Sequence, residues 1–130
     1  MAGKKVLVVD DEIHIVHVVA IKLRNNGFEV ISAGDGQEGF KLACEEKPDI
    51  IVTDFQMPIM TGLELVEKLR ANEQTSGIPV IMLTARGFAI GDEQKRDLKI
   101  SEYLSKPFSP KELLRDIEDI LYQREPVHKN

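Results

Sequence analysis

The sequence predicts one α/β domain built on a doubly wound parallel sheet, and three observations support this prediction. Short apolar segments typical of buried strands alternate along the chain with segments that carry apolar residues at helical spacing. Most of the strand segments are apolar throughout, as expected when helices cover both faces of a sheet. The length of 130 residues fits one domain and is too short for two separate cores.

Five segments are predicted to form strands, at residues 5–9, 28–33, 49–53, 78–83 and 102–105. The second segment is more polar than the others, so we place it at an edge of the sheet. The strand order 2-1-3-4-5 then follows for a doubly wound sheet, with the switch point between the first and third strands. Ligands of such sheets bind near this point, at the carboxyl ends of the strands.

Five helices are predicted to connect and follow these strands. Side chains able to cap a first turn precede the second, third and last helices, at Asp35, Thr61 and Ser109. The fourth helix, at about residues 88–98, has the weakest apolar pattern, and Gly87 and Gly91 lower its helix propensity.

Apolar residues at helical spacing predict which sides of the first and last helices are buried. In the first helix they are Ile13, Val16, Ala20 and Leu23, and the helix is predicted to end at Asn26-Gly27. In the last helix they are Leu113, Leu114, Ile117, Ile120 and Leu121. We expect the domain to span residues 1–124, followed by a C-terminal tail at 125–130.

The composition argues against several classes of function. The net charge of −5, from 17 basic and 22 acidic residues, disfavours direct binding of nucleic acid by this chain. Cys44 is the only cysteine, so an internal disulfide cannot form, and a reducing cytosol is the simplest setting. No apolar stretch is long enough to span a membrane, and the N-terminus leads directly into a predicted strand without room for a signal peptide. We therefore expect a cytoplasmic domain with no membrane partner.

Polar residues follow four of the predicted strands at positions where strand formation does not require them. They are, in chain order, Asp10-Asp11, Asp54, Thr84 and Lys106-Pro107. Because the carboxyl ends of parallel strands meet at one edge of a sheet, these side chains are expected to share a crevice. A lone aspartate after a strand usually caps the next helix, but one cap needs only one oxygen acceptor, and Asp10-Asp11 supply two carboxylates.

The crevice has the composition of a site for a cation and a phosphoryl group. Two carboxylates about 4 Å apart repel each other by roughly 1 to 4 kcal/mol, and a divalent cation offsets this repulsion. Oxygen ligands suit Mg²⁺, with Mn²⁺ as an alternative. Asp54 is the candidate nucleophile, because a carboxylate can form an aspartyl phosphate. Lys106 would neutralise charge on the transferring oxygens, and the Thr84 hydroxyl would donate a hydrogen bond to the phosphoryl group.

The set of motifs resembles the receiver domain of two-component response regulators, of the chemotaxis-regulator type, over nearly the whole chain. The matching residues are Asp10-Asp11, Asp54, Met57-Pro58, Gly62, Thr84-Ala85 and Lys106-Pro107-Phe108. The resemblance implies a flavodoxin-like fold in which Asp54 takes phosphate from a histidine kinase, a phosphotransfer protein or a small phosphodonor. It also implies a regulatory protein rather than an enzyme, one that assists only its own phosphorylation and dephosphorylation.

The resemblance assigns metal-binding roles within the crevice. Mg²⁺ would be held by Asp11, Asp54 and the backbone carbonyl of Gln56. Asp10 would contribute largely through water, and Lys106 would pair with the phosphoryl group.

The resemblance further implies a conformational switch. Thr84 and Tyr103 would form the switch pair, in which the hydroxyl moves toward the phosphoryl group and the aromatic ring turns inward. The fourth predicted helix, the fifth strand and the last helix would form the face that binds a downstream protein or output domain. The alternative for Tyr103 is an edge-strand aromatic residue with no switching role.

Two departures from the family pattern stand out. Lys99-Ile100 occupies places where family members often have Gly-Ala, so Lys99 is expected to reshape the turn before the fifth strand. Gln56 and Arg86, two residues beyond Asp54 and Thr84, occupy variable positions that tune the lifetime of the phosphate.

Two alternative functions remain open. A phosphatase with an aspartyl nucleophile shares this chemistry, but the haloacid-dehalogenase type carries a second aspartate two residues after the nucleophile, where this chain has Gln56. A degenerate receiver would act as a scaffold independent of phosphorylation, although here the set of acidic, hydroxyl and lysine residues is complete.

Three further patterns receive structural interpretations. The segment 34–39 matches the dinucleotide fingerprint G-x-G-x-x-G but follows the predicted edge strand, so its glycines are assigned to a turn and a helix start. His14 and His17 are spaced i, i+3 on the first helix, without an evident third metal ligand. Cys44 is expected to be a small buried hydrophobic residue.

Overall fold

Five parallel strands form one sheet in the order β2-β1-β3-β4-β5. The computed structural model describes residues 3–85 and 97–122. The strands are β1 (Lys5–Val9), β2 (Glu29–Ala33), β3 (Ile50–Asp54), β4 (Val80–Thr84) and β5 (Glu102–Ser105). The predicted strand order and the edge position of β2 are therefore confirmed.

Four helices with described bounds lie on the two faces of this sheet. They are α1 (Ile13–Arg24), α2 (Gly36–Glu46), α3 (Gly62–Ala71) and α4 (Pro110–Tyr122). Most of the helix predicted over about 88–98 lies outside the described residues, and within them Asp97 and Leu98 are helical. The domain boundary predicted after residue 124 also lies outside the described residues.

Each face of the sheet has its own hydrophobic core. On one face the strands pack against α1 and α4, whose buried residues are Val19, Ala20, Leu23, Leu113 and Ile117. On the other face they pack against α2 and α3, whose buried apolar residues are Ala43, Leu65, Val66 and Leu69. Because successive strand residues point to opposite faces, the continuous apolar strands supply both cores.

The predicted helix caps are confirmed. The side chains of Asp35, Thr61 and Ser109 each accept a hydrogen bond from the backbone N–H three residues further along, at 2.8, 3.1 and 3.0 Å. Each bond satisfies an amide of the first turn that has no partner within its helix. These caps fix where α2, α3 and α4 begin after the strand-end loops.

The buried side of α1 differs from the prediction. Ile13 is predicted to lie in the core but is 68% exposed, and Val16 is only half-buried, whereas Val19 is buried. The reason is that α1 begins at Ile13, four residues after β1 ends, so its first turn lies at the carboxyl edge of the sheet rather than over it. Only the C-terminal half of α1 packs fully against the strands.

Candidate functional site

The predicted crevice is a cleft of about 280 Å³ at the carboxyl ends of the strands. It is lined by Asp11, Glu12, Asp54, Gln56, Ala85 and Lys106. Asp10 and Thr84 are almost fully buried and adjoin the cleft through their contacts with Lys106. The cleft therefore lies at the switch point between β1 and β3, where ligands of doubly wound sheets bind.

Lys106 joins the acidic side chains of the cleft. Its Nζ lies 3.2 Å from Asp10 Oδ2, 3.2 Å from Asp54 Oδ1 and 2.7 Å from Glu12 Oε1. An ammonium group has three N–H donors, enough for one contact with each carboxylate. The structure thus brings Asp10, Asp54 and Lys106 together as expected, and it adds Glu12, which is not among the residues predicted from the sequence.

The pairing of β4 with β5 positions Lys106 beside Thr84. The register places Thr84 opposite Ser105, and the Lys106 N–H donates to the Thr84 carbonyl oxygen at 2.7 Å. The Lys106-Pro107 peptide bond is cis. Thr84 and Lys106 therefore reach the cleft as one backbone-linked unit.

Asp10 also accepts a hydrogen bond from the backbone just before α1. Its Oδ1 accepts a hydrogen bond from the Glu12 N–H at 2.9 Å, while its Oδ2 accepts one from Lys106. The capping role considered for the aspartate pair is not observed, because the N-cap of α1 is Glu12 and no side chain caps this helix. Asp10 instead binds the N–H of the N-cap residue, in addition to its contact with Lys106. Asp11 is exposed at the edge of the cleft.

The cleft carries more negative than positive charge. Burial, followed by the charge of Asp10, raises the pKa of Asp54 to about 6, although Lys106 opposes this shift. Burial likewise raises the pKa of Asp10. Burial alone would lower the pKa of Lys106, but the hydrogen bond to Glu12 and the charges of Asp10 and Asp54 raise it above its ordinary value. Lys106 therefore stays charged at neutral pH and only partly offsets the carboxylates.

Three carboxylates of the cleft are placed to hold a cation. One oxygen from each of Asp10, Glu12 and Asp54 lies within 4.8 Å of the others. Oxygen donors of this kind suit a hard divalent cation, which would oppose the burial and the charge of Asp10 that raise the pKa of Asp54. Asp11 and Gln56, the other ligands predicted from the sequence, line the same cleft with exposed side chains.

Gly62 allows the loop after β3 to pack against Asp54. The Gly62 N–H donates to the Phe55 carbonyl oxygen at 2.8 Å. A Cβ atom at residue 62 would clash with the carbonyl oxygen of Asp54 and would lie 2.9 Å from Met82 Sδ. Glycine is therefore required for this close approach, which holds the backbone of Asp54 between α3 and β4.

Tyr103 lies on β5 with its side chain half-buried against the core on the α2–α3 face. The register pairs Tyr103 with Met82, so Tyr103 and Thr84 face the same side of the sheet. Burial raises the pKa of Tyr103. The two side chains predicted as a switch pair are thus neighbours on one face.

An apolar groove of about 520 Å³ adjoins the cleft. It lies between α1 and the segment that joins β5 to α4, with lining residues that include Ile15, Val18, Pro107, Phe108 and Pro110. Glu12, Ala85 and Lys106 line both the groove and the cleft, so the two are adjacent.

The remaining residues singled out in the sequence lie outside the acidic cluster. His14 lines the apolar groove and His17 is exposed, and within residues 3–85 and 97–122 neither belongs to a group of three potential metal ligands. Cys44 is half-buried rather than buried, because it lies in the last turn of α2. The Asn72 amide donates to its Sγ at 3.8 Å. Arg86, predicted to tune the lifetime of the phosphate, lies outside the described residues.

The family model of the response regulator receiver domain matches residues 6–118. The chain belongs to this family. The predicted identity as a receiver domain of two-component response regulators is thus confirmed, and so is the flavodoxin-like fold.

Curated relatives of this receiver domain include transcriptional regulators. The chain is 36% identical over 126 residues to the phosphate regulon transcriptional regulatory protein PhoB of Pseudomonas aeruginosa, covering 97% of this chain and 55% of the relative. It is 40% identical over 123 residues to the alkaline phosphatase synthesis transcriptional regulatory protein PhoP of Bacillus subtilis, covering 95% of this chain and 50% of the relative. The chain spans about half the length of the curated relatives it matches.

Solved structures of similar chains share the fold over nearly their whole length. The chemotaxis response regulator CheY4 of Vibrio cholerae is 36% identical, with a TM-score of 0.83 over 91% of this chain and 98% of that chain. The receiver domain of the sensor histidine kinase PA1611 of Pseudomonas aeruginosa PAO1, solved with a magnesium ion coordinated in the active site cleft, is 29% identical. Its TM-score is 0.83 over 93% of this chain and 99% of that chain.

Proposed function

We propose that the receiver domain accepts a phosphoryl group on Asp54 and thereby switches its binding to a partner. The observation that carries this proposal is the position of the Asp54 carboxylate, which lines an open cleft 3.2 Å from the ammonium group of Lys106. Asp54 combines a nucleophilic oxygen, access from solvent and an adjacent positive charge, which phosphoryl transfer to a carboxylate requires.

The proposed step is an in-line displacement at phosphorus. A carboxylate oxygen of Asp54 forms the new O–P bond while the P–N bond of a phosphohistidine, or the P–O bond of acetyl phosphate, breaks. The leaving imidazole nitrogen or acetate oxygen keeps the electron pair of the broken bond. Lys106 offsets the charge of the transferring oxygens, and the Thr84 hydroxyl donates a hydrogen bond to the phosphoryl group.

The proposed cofactor is Mg²⁺, held by Asp11, Asp54 and the backbone carbonyl of Gln56, with Asp10 contributing largely through water. The support for this assignment is the donor set: buried carboxylates of Asp10 and Asp54, with Asp11 and Gln56 lining the same cleft. When bound, the cation supplies charge neutralisation at the phosphoryl oxygens. Mn²⁺ would fill the same set of oxygen ligands.

The proposed phosphodonor is a histidine kinase or a phosphotransfer protein that docks on α1. The apolar groove shares Glu12, Ala85 and Lys106 with the cleft. Ile13, Val18 and Ile21 of α1 are each more than half exposed. A protein seated there would bring a phosphohistidine to Asp54. We place this reaction in the cytoplasm and expect no direct binding of nucleic acid by the acidic chain. No helix within the described part of the chain is long and apolar enough to cross a bilayer.

The proposed output is a change in binding of a downstream protein or output domain. Thr84 and Tyr103 face the same side of the sheet, so movement of the Thr84 hydroxyl toward a phosphoryl group would alter the space beside Tyr103. A phosphoryl group adds about −1.5 to −2 charge, enough to bias a two-state surface. The face expected to respond comprises β5, α4 and the helix predicted at about 88–98.

Incubation with acetyl phosphate and Mg²⁺, followed by intact mass measurement, tests this function. We expect an adduct of one phosphoryl group on the wild type and none on Asp54→Asn. Continuous turnover of phosphomonoesters without an adduct would instead identify a phosphatase. Partner binding that is unchanged by beryllofluoride would identify a scaffold that works without phosphorylation.

A further inference from the structure

Glu12 makes the shortest ion pair of Lys106. The Nζ–Oε1 distance is 2.7 Å, against 3.2 Å to Asp10 and 3.2 Å to Asp54. The side chain of Glu12 is 58% exposed, whereas those of Asp10 and Asp54 are 0% and 9% exposed. Lys106 is therefore held by two carboxylates fixed at strand ends and by one that faces solvent.

Glu12 also lines the cleft into which a phosphoryl group on Asp54 would project. That group brings a charge of about −1.5 to −2 and three acceptor oxygens. The three N–H donors of Lys106 already face three carboxylates. Phosphorylation converts the Asp54 carboxylate into an acyl phosphate, so one phosphoryl oxygen can take over that contact with Lys106. A second phosphoryl oxygen can pair with Lys106 only if Asp10 or Glu12 gives up its contact.

We propose that Glu12 is a positioning residue that holds Lys106 by an ion pair in the unphosphorylated receiver domain. On phosphorylation this ion pair breaks, and Lys106 pairs with the phosphoryl group. This inference rests on the proposed phosphorylation of Asp54.

The surroundings of the three carboxylates indicate which one loses its ion pair with Lys106. Asp10 is buried, and its second oxygen accepts the Glu12 N–H, so its side chain is fixed. Asp54 carries the phosphoryl group itself. Glu12 has a solvent-facing side chain with no other hydrogen bond described for its carboxylate, so it can rotate away with the loss of one ion pair.

Glu12 should therefore oppose phosphorylation, because its charge repels the anionic donor and its carboxylate occupies Lys106. Removing that charge in Glu12→Gln should raise the second-order rate constant for phosphorylation by acetyl phosphate about two- to fivefold, the range for one exposed ion pair. Glu12→Asp, which keeps the charge, should stay within about twofold of the wild type.

A matched control exists at the opposite end of the sheet. Glu46 forms an ion pair with Lys5 at 3.0 Å, and Lys5 begins β1, so Glu46→Gln removes the same charge from an equivalent pair far from the cleft. The rate of adduct formation is measured by intact mass at saturating Mg²⁺ and at a series of lower concentrations. Melting temperatures of all variants confirm that they fold, and Glu12→Ala provides a second charge-removing variant.

An increase in rate for Glu12→Gln and Glu12→Ala but not for Glu12→Asp or Glu46→Gln supports the inference. Equal rate constants for Glu12→Gln and Glu46→Gln would overturn it. A higher Mg²⁺ concentration for half-maximal rate, with the rate at saturating Mg²⁺ unchanged, would also overturn it, because Glu12 would then be a cation ligand. Failure of the proposed function appears differently, as a wild type without an adduct or an adduct that persists in Asp54→Asn.

Discussion

Asp54 occupies a position where its negative charge destabilises the fold. The side chain is almost fully buried, and the charge of Asp10 adds to the effect of burial. The contact with Lys106 offsets only part of this cost. The ionised carboxylate thus lowers the free energy of unfolding, a cost in stability that is common at functional sites.

The raised pKa of Asp54 predicts how its substitution affects stability. The pKa is about 6 in the folded protein against an ordinary value of 3.8, so the folded state binds the proton more tightly than the unfolded state. The penalty is therefore present above pH 6 and disappears as the pH falls toward 4. Without divalent cations, Asp54→Asn should raise the free energy of unfolding at pH 7.5 by about 1 to 3 kcal/mol.

Urea unfolding in EDTA at pH 7.5 and pH 4.5 measures this effect. The advantage of Asp54→Asn should shrink at the lower pH, while Glu46→Gln should show no comparable gain. A variant Asp54→Asn that is less stable than the wild type at pH 7.5 would contradict the prediction.

Gly62 provides a second prediction at the residue level. A Cβ atom there meets the backbone of Asp54, so Gly62→Ala must displace either α3 or the strand end. We expect a loss of about 1 to 3 kcal/mol in stability and slower adduct formation with acetyl phosphate. Gly77→Ala is the control, because a Cβ at residue 77 meets nothing within 4 Å. Equal behaviour of the two variants would show that the close approach at Gly62 is not required.

Among the helices, α1 has two different sides. Its inner side packs on β1 and β2 through Val19, Ala20 and Leu23, while Val18 and Ile21 remain 51% and 54% exposed. Apolar residues exposed next to a groove mark a surface for a partner more often than isolated ones do. The same helix thus supports the core and borders the entrance to the cleft.

Substitutions on the outer side of α1 should separate docking from chemistry. The double variant Val18→Ser with Ile21→Ser should slow phosphotransfer from a protein donor by about fivefold or more, the effect of losing about 1 kcal/mol of contact. Its reaction with acetyl phosphate should be unchanged, because this small donor needs no docking surface. Lys41→Ser, an exposed change on α2, serves as control. A parallel loss with both donors would indicate damage to the cleft instead.

Arg70 at the end of α3 connects two loops at the amino end of the sheet. Its guanidinium donates to the carbonyl oxygens of Ser76 and Ile78 before β4 and of Leu98 and Lys99 before β5. Burial lowers the pKa of Arg70. Lys99 has a φ of 54°, a left-handed conformation that favours glycine, and its carbonyl is one of the groups held by Arg70. Arg70 therefore contacts the backbone of the turn in which Lys99 takes this conformation.

Replacement of Arg70 should therefore destabilise the protein. Arg70→Lys keeps the charge but cannot reach four carbonyl groups, and we expect a loss of about 1 to 3 kcal/mol in unfolding free energy. Arg24→Lys is the matched control, because Arg24 donates to only the Val30 carbonyl among the contacts described for it. Chemical denaturation of both variants gives the comparison, and similar losses would argue against a special role for Arg70.

For the molecule as a whole, cation binding and folding should be linked. The carboxylates of the cleft come together only when β1 and β3 are paired, so a cation that binds them stabilises the folded state alone. Mg²⁺ at about 100 times its dissociation constant should add about 2.7 kcal/mol to the unfolding free energy. The variant Asp54→Asn lacks one charged ligand, so Mg²⁺ should add clearly less to its unfolding free energy. Thermal unfolding across a Mg²⁺ titration tests this, and equal gains would contradict it.

The order of the strands and the position of the cleft could be predicted because each depends on strong local signals. Apolar strands determine the sheet, and Asp35, Thr61 and Ser109 mark the helix starts by capping. Asp54 and Lys106 lie at strand ends, so the geometry of a parallel sheet alone brings them together.

Other features depend on side-chain conformations that no sequence pattern records. No pattern in the sequence distinguishes Glu12 from other residues that precede a helix. Only the direction of its side chain gives it a contact with Lys106. Arg70 resembles any basic residue in the last turn of a helix. Ile13 has the correct spacing for the core, but its burial depends on where the edge of the sheet ends.

The contact between Lys106 and Asp10 spans 96 positions of the chain. During synthesis on the ribosome, β1, β3 and β4 emerge before this lysine does, and Asp54 is by then already present without its ammonium partner. The proposed phosphoacceptor site consequently stays incomplete until β5 has been made and paired. Under the proposed function, a nascent chain that has not yet formed β5 would lack the lysine that offsets the charge of the transferring oxygens.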